Sequence, residues 1–273
     1  MSPQADLHAA ARLCLDAAEP AEKLRLTRVA WEAFAAGDLH ADCASPPPQL
    51  ISAPGRPAKP ELVNARQVPQ RGLGTEHGRA ALVHAIAHIE FNAINLAWDA
   101  VYRFRGMPDA FYCDWASCAN DEARHFAMLS GRLQELGYSY GDFAAHDGLW
   151  QMAEKTADSD TARMALVPRV LEARGLDVTP GMIERLRKLG DERTVAILEL
   201  ILREEVGHVA AGTRWYLHCC ERDRLDPVAT FFALVRDYMG VNLRGPFNLP
   251  ARRQAGFTEP ELDRLVALAV AAT

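Results

Sequence analysis

Two stretches, Asp121-Glu-Ala-Arg-His-Phe126 and Glu204-Glu-Val-Gly-His208, decide how this chain is read. Around the first, apolar residues fall at Phe111, Trp115, Cys118, Phe126, Leu129, Leu133 and Leu136, the spacing of one helix face. Glu122 and His125 occupy the gap in that stripe. Around the second, Val195, Leu198, Leu202, Gly212, Trp215 and Cys219 make a similar stripe, and Glu205 and His208 sit in it. A carboxylate and an imidazole facing a core cost several kcal/mol unless they are paired or bound to a metal. Three residues apart on a helix they project side by side. Glutamate oxygen with imidazole nitrogen suits iron, manganese or zinc. In a chain of 273 residues with 9 histidines, chance alone supplies about 0.6 Glu-x-x-His pairs. Their place on two core stripes is what makes them a candidate site.

Each pair has a glutamate upstream. Glu90, on the stripe Leu82, Ile86, Ala93 and Ala97, precedes Glu122 by 32 residues, and Glu172 precedes Glu205 by 33. A bundle site of this type takes one glutamate from each of the two remaining helices. The expected ligands are therefore Glu90, Glu122, His125, Glu172, Glu205 and His208, arranged as an internal repeat of two helical hairpins. Arg169 shares the face of Glu172, and Glu154 is the rival donor, but Glu154 lies 51 residues before Glu205 and breaks the symmetry. Asp121 and Glu204 each point about 100° away from the neighbouring ligand. They either orient the opposite helix's histidine or are solvated charges.

The same periodicities lay out the chain. Residues 5–37 read as helix. Residues 38–75, with Ser45-Pro-Pro-Pro and Lys59-Pro, read as an extended arm, because proline lacks the amide donor. Long helices are expected over 78–104, 109–136, 148–174 and 191–222, the third broken near Ser159 or Pro168. A crossover spans 137–147, a short helix 180–189, and closing helices 227–240 and 258–272. No alternating strand pattern recurs. The expectation is an all-α chain: an N-terminal helix and Pro-rich arm (1–75), then a four-helix bundle with C-terminal closing helices (76–273).

Hydrophobic residues make 49% of the chain and charged residues 24%, an ordinary globular balance. The net charge of −6 argues against broad nucleic-acid binding. No apolar run reaches the roughly 18 residues of a membrane span, and no secretory signal is evident, so a cytoplasmic location is expected. The six cysteines form no C-x-x-C pair and are expected as reduced, mostly buried thiols.

Longer segments carry a family resemblance. The chain resembles the ferritin-like di-iron carboxylate superfamily, which includes rubrerythrins, ribonucleotide reductase small subunits, manganese catalases and bacterial tRNA hydroxylases. It resembles more closely the bacterial ferritin-like family catalogued as domain of unknown function 455. The segments that carry this are Arg71-Gly-Leu-Gly-Thr, His84-Ala-Ile-Ala-His-Ile-Glu90, Tyr102-Arg-Phe-Arg-Gly-Met-Pro108, Tyr140-Gly-Asp-Phe-Ala-Ala-His-Asp-Gly-Leu-Trp150, Val167-Pro-Arg-Val-Leu-Glu-Ala-Arg-Gly-Leu-Asp177, Glu205-Val-Gly-His208 and Arg244-Gly-Pro-Phe-Asn248. The superfamily resemblance implies a ferritin-like bundle with a dinuclear metal site. The closer one implies no established reaction.

Two iron ions are the expected cofactor, with manganese or a mixed manganese–iron pair as alternatives. The expected activity is an oxidoreductase that applies dioxygen or peroxide to a small organic substrate or a modified base. A ferroxidase and a manganese-catalase-like enzyme are the rivals. No nucleotide- or flavin-binding glycine loop is evident, so an external electron donor is expected, and a homodimer is allowed. His146 and Arg244 are candidates for a substrate mouth, and the adjoining Asp147 equally suits a helix cap. His84 and His88 continue into Asn92, Asn95 and Asp99 and read as a polar face making helix contacts, with a second metal or substrate role as the alternative. Trp115, Trp215 and Phe126 read as packing, with electron transfer as the sharper alternative.

Overall fold

A computed structural model describes residues 5–41, 45–69, 71–240, 243 and 245–271. The described residues are all-α in class, with a short parallel pairing of β1 (Ala5–Asp6) with β2 (Leu39–His40) and an isolated bridge between Leu62 and Ala145. It divides into two compact units, Met1–Glu154 and Lys155–Thr273.

In the first unit the expected N-terminal helix is two helices, α1 (Leu7–Asp16) and α2 (Pro20–Ala35). Pro20 explains the break: it has no amide hydrogen to continue α1 but suits the first turn of α2. Lys23, with 0% exposure, joins the two. Its ammonium donates to Cys14 O at 2.6 Å and Leu15 O at 3.2 Å, capping α1, and to Asn95 Oδ1 at 2.7 Å. Burial pushes its pKa down to about 8. Lys23→Met leaves three buried acceptors without that donor. It is expected to lower stability by about 2–3 kcal/mol, measured as a shift in denaturant midpoint.

α3 (Glu76–Arg103) and α4 (Asp109–Glu135) form an antiparallel hairpin turned at Gly106, whose φ of 72° suits glycine. By length and composition α3 could cross a membrane, with a mean hydropathy of 1.2, but 78% of that window is buried within the protein. Its polar stripe is not solvated: His84, His88, Asn92, Asn95 and Asp99 are all buried. His84 Nε2 accepts from Gly141 N at 2.9 Å, and His88 Nδ1 meets the Tyr140 hydroxyl at 2.9 Å. These bonds hold the crossover onto α3. The arm holds it as well, through Ala145 N to Glu61 O at 2.9 Å and Arg56 to Asp147 at 2.7 Å. α5 (Gly148–Lys155) comes next in the chain.

The third helix expected over 148–174 is broken near Ser159, one of the two expected positions, but does not stop at 174. A break after α5 ends at Ser159, whose side chain caps α6 (Asp160–Leu166). A π-helical segment, Val167–Glu172, leads directly into α7 (Ala173–Lys188), so the expected short helix at 180–189 is part of α7. Pro180 sits inside α7 and cannot donate to the carbonyl of Leu176. Asn248 Nδ2 donates to that carbonyl instead, at 3.0 Å, so tertiary structure supplies what the proline removes. Gly190 (φ 73°) turns the chain into α8 (Glu192–Asp223). α9 (Pro227–Met239), an unexpected short α10 (Leu249–Gln254) and α11 (Glu259–Ala271) complete the second unit. Cys14, Cys118, Cys219 and Cys220 are buried free thiols and Cys113 is an exposed one, while Cys43 lies outside the described residues.

Candidate metal centre

In the first unit, the turn at Gly106 brings two ligand positions level. Glu90 lies 16 residues before it and Glu122 lies 16 after. Glu90, Glu122 and His125 are 4%, 3% and 0% exposed. Each offers a ligand atom, and these atoms lie within 4.8 Å of one another. His125 Nδ1 is 3.0 Å from Glu90 Oε2 and 3.4 Å from Glu122 Oε2. Burial first, and then the charge of Glu122, push the Glu90 carboxyl up to about 8. Burial alone would lower His125, but its hydrogen bonds to Glu122 and Glu90 outweigh that and raise it. Two buried carboxylates this close must share protons or a cation. This buried donor set could bind a metal ion.

In the second unit the hairpin repeats the logic. Glu172 lies 18 residues before Gly190, and His208 lies 18 after it. His208 Nδ1 is 3.3 Å from Glu205 Oε1, and both residues are buried. In both pairs it is therefore Nδ1 that faces the carboxylate. Glu172 ends the π segment and is half-buried. On an α-helix Arg169 and Glu172 would stand about 60° apart. The bond from Ala173 N to Pro168 O closes a wider turn that separates them further.

The remaining candidates are dispersed. Asp121 is paired with Arg124 at 2.6 Å, and Glu204 is half-buried on α8. His146 is exposed, with Nδ1 accepting from Gly148 N at 3.2 Å. The Asp147 carboxylate pairs with Arg56, while its backbone carbonyl accepts from Gln151 N at 3.0 Å. Arg244 lies outside the described residues. Trp115, Trp215 and Phe126 are buried. Sequence reasoning passes over Tyr140, whose ring centre is 5.5 Å from Phe91 and 5.0 Å from Phe126, the neighbours of Glu90 and His125. Nothing in a loop tyrosine's local sequence signals such a contact.

The fold and this cluster define an all-helical protein with a buried carboxylate–histidine set able to hold a metal ion. The chain belongs to the family described as protein of unknown function, DUF455, whose model matches residues 16–263. It is 50% identical over 214 residues to an uncharacterized protein of Haemophilus influenzae, covering 76% of this chain and 74% of that one. No solved structure matches it.

Proposed function

We propose that the two hairpins pack as a ferritin-like four-helix bundle and that the protein is a dinuclear non-heme iron oxidoreductase of the hydroxylase or oxidase type. Its substrate would be a small organic molecule or a modified base, oxidised with dioxygen or peroxide. The observation that carries this reading is the buried cluster of Glu90, Glu122 and His125. Its support is the same Glu-x-x-His geometry at Glu205 and His208. In this reading Glu90, Glu122 and His125 would hold one metal ion, and Glu172, Glu205 and His208 would hold the other. Bound iron would supply redox chemistry on dioxygen or peroxide. The chain's own part is to supply four carboxylates that balance two divalent cations and two neutral imidazoles. Phe91 and Phe126, next in the chain to Glu90 and His125, are buried, as is Trp115 on α4, and such apolar walls would keep water from the donor set.

The test is metal content and dioxygen uptake of the purified protein. Wild type is expected to hold about two iron ions per chain. The Glu122→Ala, Glu205→Ala double variant is expected to hold none and to lose reductant-dependent dioxygen consumption. Equal metal content in the two proteins would sink the reading. Visible gas evolution from peroxide with bound manganese would favour the catalase-like alternative, and a very large particle in light scattering would favour iron storage.

A further inference from the structure

Arg169 is fully buried and takes no part in the donor set. Its guanidinium donates to Glu261 Oε1 on α11 at 2.6 Å and to Thr213 Oγ1 on α8 at 3.3 Å. It lies 4.6 Å from the ring centre of Tyr216, 4.5 Å from that of Phe231 and 4.4 Å from that of Phe257. Such an investment of a buried charge is weak evidence of stability, since an apolar replacement for the pair serves as well. Its location is informative. Arg169 stands inside the π segment, three residues before Glu172. The preceding Pro168 packs on Gly212, where an added Cβ would come within 2.3 Å of the proline ring. Gly212 is one turn beyond His208, and Glu172 is one turn beyond Pro168. In an antiparallel pair, the lock at Pro168 and Gly212 therefore sets Glu172 level with His208.

A π turn accommodates one extra residue, and relaxing it to α-helix would rotate the residues beyond it by about 100°. Something must hold the wide turn in place. We propose that Arg169, clamped by Glu261 and Thr213, is a positioning residue that holds the π turn so that Glu172 is presented to Glu205 and His208. The C-terminal helix α11 thereby belongs to the scaffold of the metal site. This inference rests on the dinuclear reading above.

The experiment titrates Co(II) into metal-free protein, following stoichiometry by calorimetry and ligand field by visible absorption. The variants are Arg169→Met with Glu261→Met, Thr213→Val, and Glu172→Ala. Removing both partners of the ion pair strands no charge, so the paired variant is expected to fold, with a modest loss of stability from the bonds that Thr258 N and Oγ1 donate to Glu261 Oε2. It should nevertheless bind one of its two cobalt ions at least ten-fold more weakly, with an altered cobalt spectrum. Thr213→Val, which deletes one hydroxyl from the clamp, should show the same change in smaller degree and decides the matter should the paired variant fail to fold. Clamp variants that keep both ions at wild-type affinity and spectrum, while Glu172→Ala loses one, would overturn the role of Arg169 alone. Wild type that binds no cobalt, or a Glu172→Ala protein that keeps both ions, would overturn the dinuclear reading and this inference together.

Discussion

Asp177→Leu is expected to destabilise the protein by about 3–5 kcal/mol, a large share of the stability of a typical domain. Asp177 accepts from Arg252 through both oxygens, at 3.0 and 2.8 Å, and also from Asn248 N at 2.8 Å. Arg252 is 3% exposed, so the variant leaves a guanidinium in a dry site without its carboxylate. The ring of Phe257, 5.0 Å from Arg252, offers only a partial substitute. Asn248 would also lose its anchor, and with it the side-chain amide that satisfies Leu176 beside Pro180. Urea midpoints measure the loss. The double variant Asp177→Leu, Arg252→Leu should recover a large part of it, because the cost lies in the stranded charge. A double variant no more stable than the single one would place the cause elsewhere.

The second large effect is on pH. His84 is 1% exposed, and its pKa is pushed down to about 4, chiefly by burial and then by the nearby charge of His88, with Asp142 opposing. In the unfolded chain a histidine titrates near 6.5. Between those values the unfolded chain binds a proton that the folded one refuses. Stability is therefore complete above about pH 6.5 and falls as pH drops toward 4, by about 3 kcal/mol in total. The structural reason is that protonated Nε2 can no longer accept from Gly141 N, while the ring stays stacked on Tyr140 at 5.3 Å. His84→Gln keeps an acceptor that does not titrate. Its urea midpoint should fall less than wild type between pH 7 and pH 4.5, while other titrating groups act equally on both. Parallel losses in the two proteins would rule out His84 as the sensor.

Both effects arise from contacts between residues far apart in the chain, and this marks where sequence reading stops. The long hairpin helices are legible from periodicity, because α3, α4 and α8 carry long apolar stripes, and α3 and α8 cap themselves locally through Thr75 and Asp191. Glu122–His125 and Glu205–His208 are legible for the same reason: a helix sets side chains three residues apart next to each other whatever surrounds it. Glu90 is legible because the short turn at Gly106 fixes which residues of α3 and α4 are level. Local punctuation misleads over the run from Asp160 to Lys188: Gly175 is carried within the helix, and the carbonyl that Pro180 leaves without a donor is met by distant Asn248. The polar stripe from His84 to Asp99 reads as a face making contacts, yet its full burial depends on α1, α2 and the crossover, which no local pattern announces.

The sequence by itself determined the helical class, the two Glu-x-x-His pairs and the candidate glutamates, since these follow from helical periodicity and short turns. Only the tertiary structure decided that Glu90, Glu122 and His125 gather in a dry cluster, that a π turn sits ahead of Glu172, and that Arg169 and Asp177 tie α6–α7 to the C-terminal helices. Those outcomes depend on which buried charge finds a partner. In a low-dielectric interior that partner is set by the packing of remote segments rather than by neighbours in the chain.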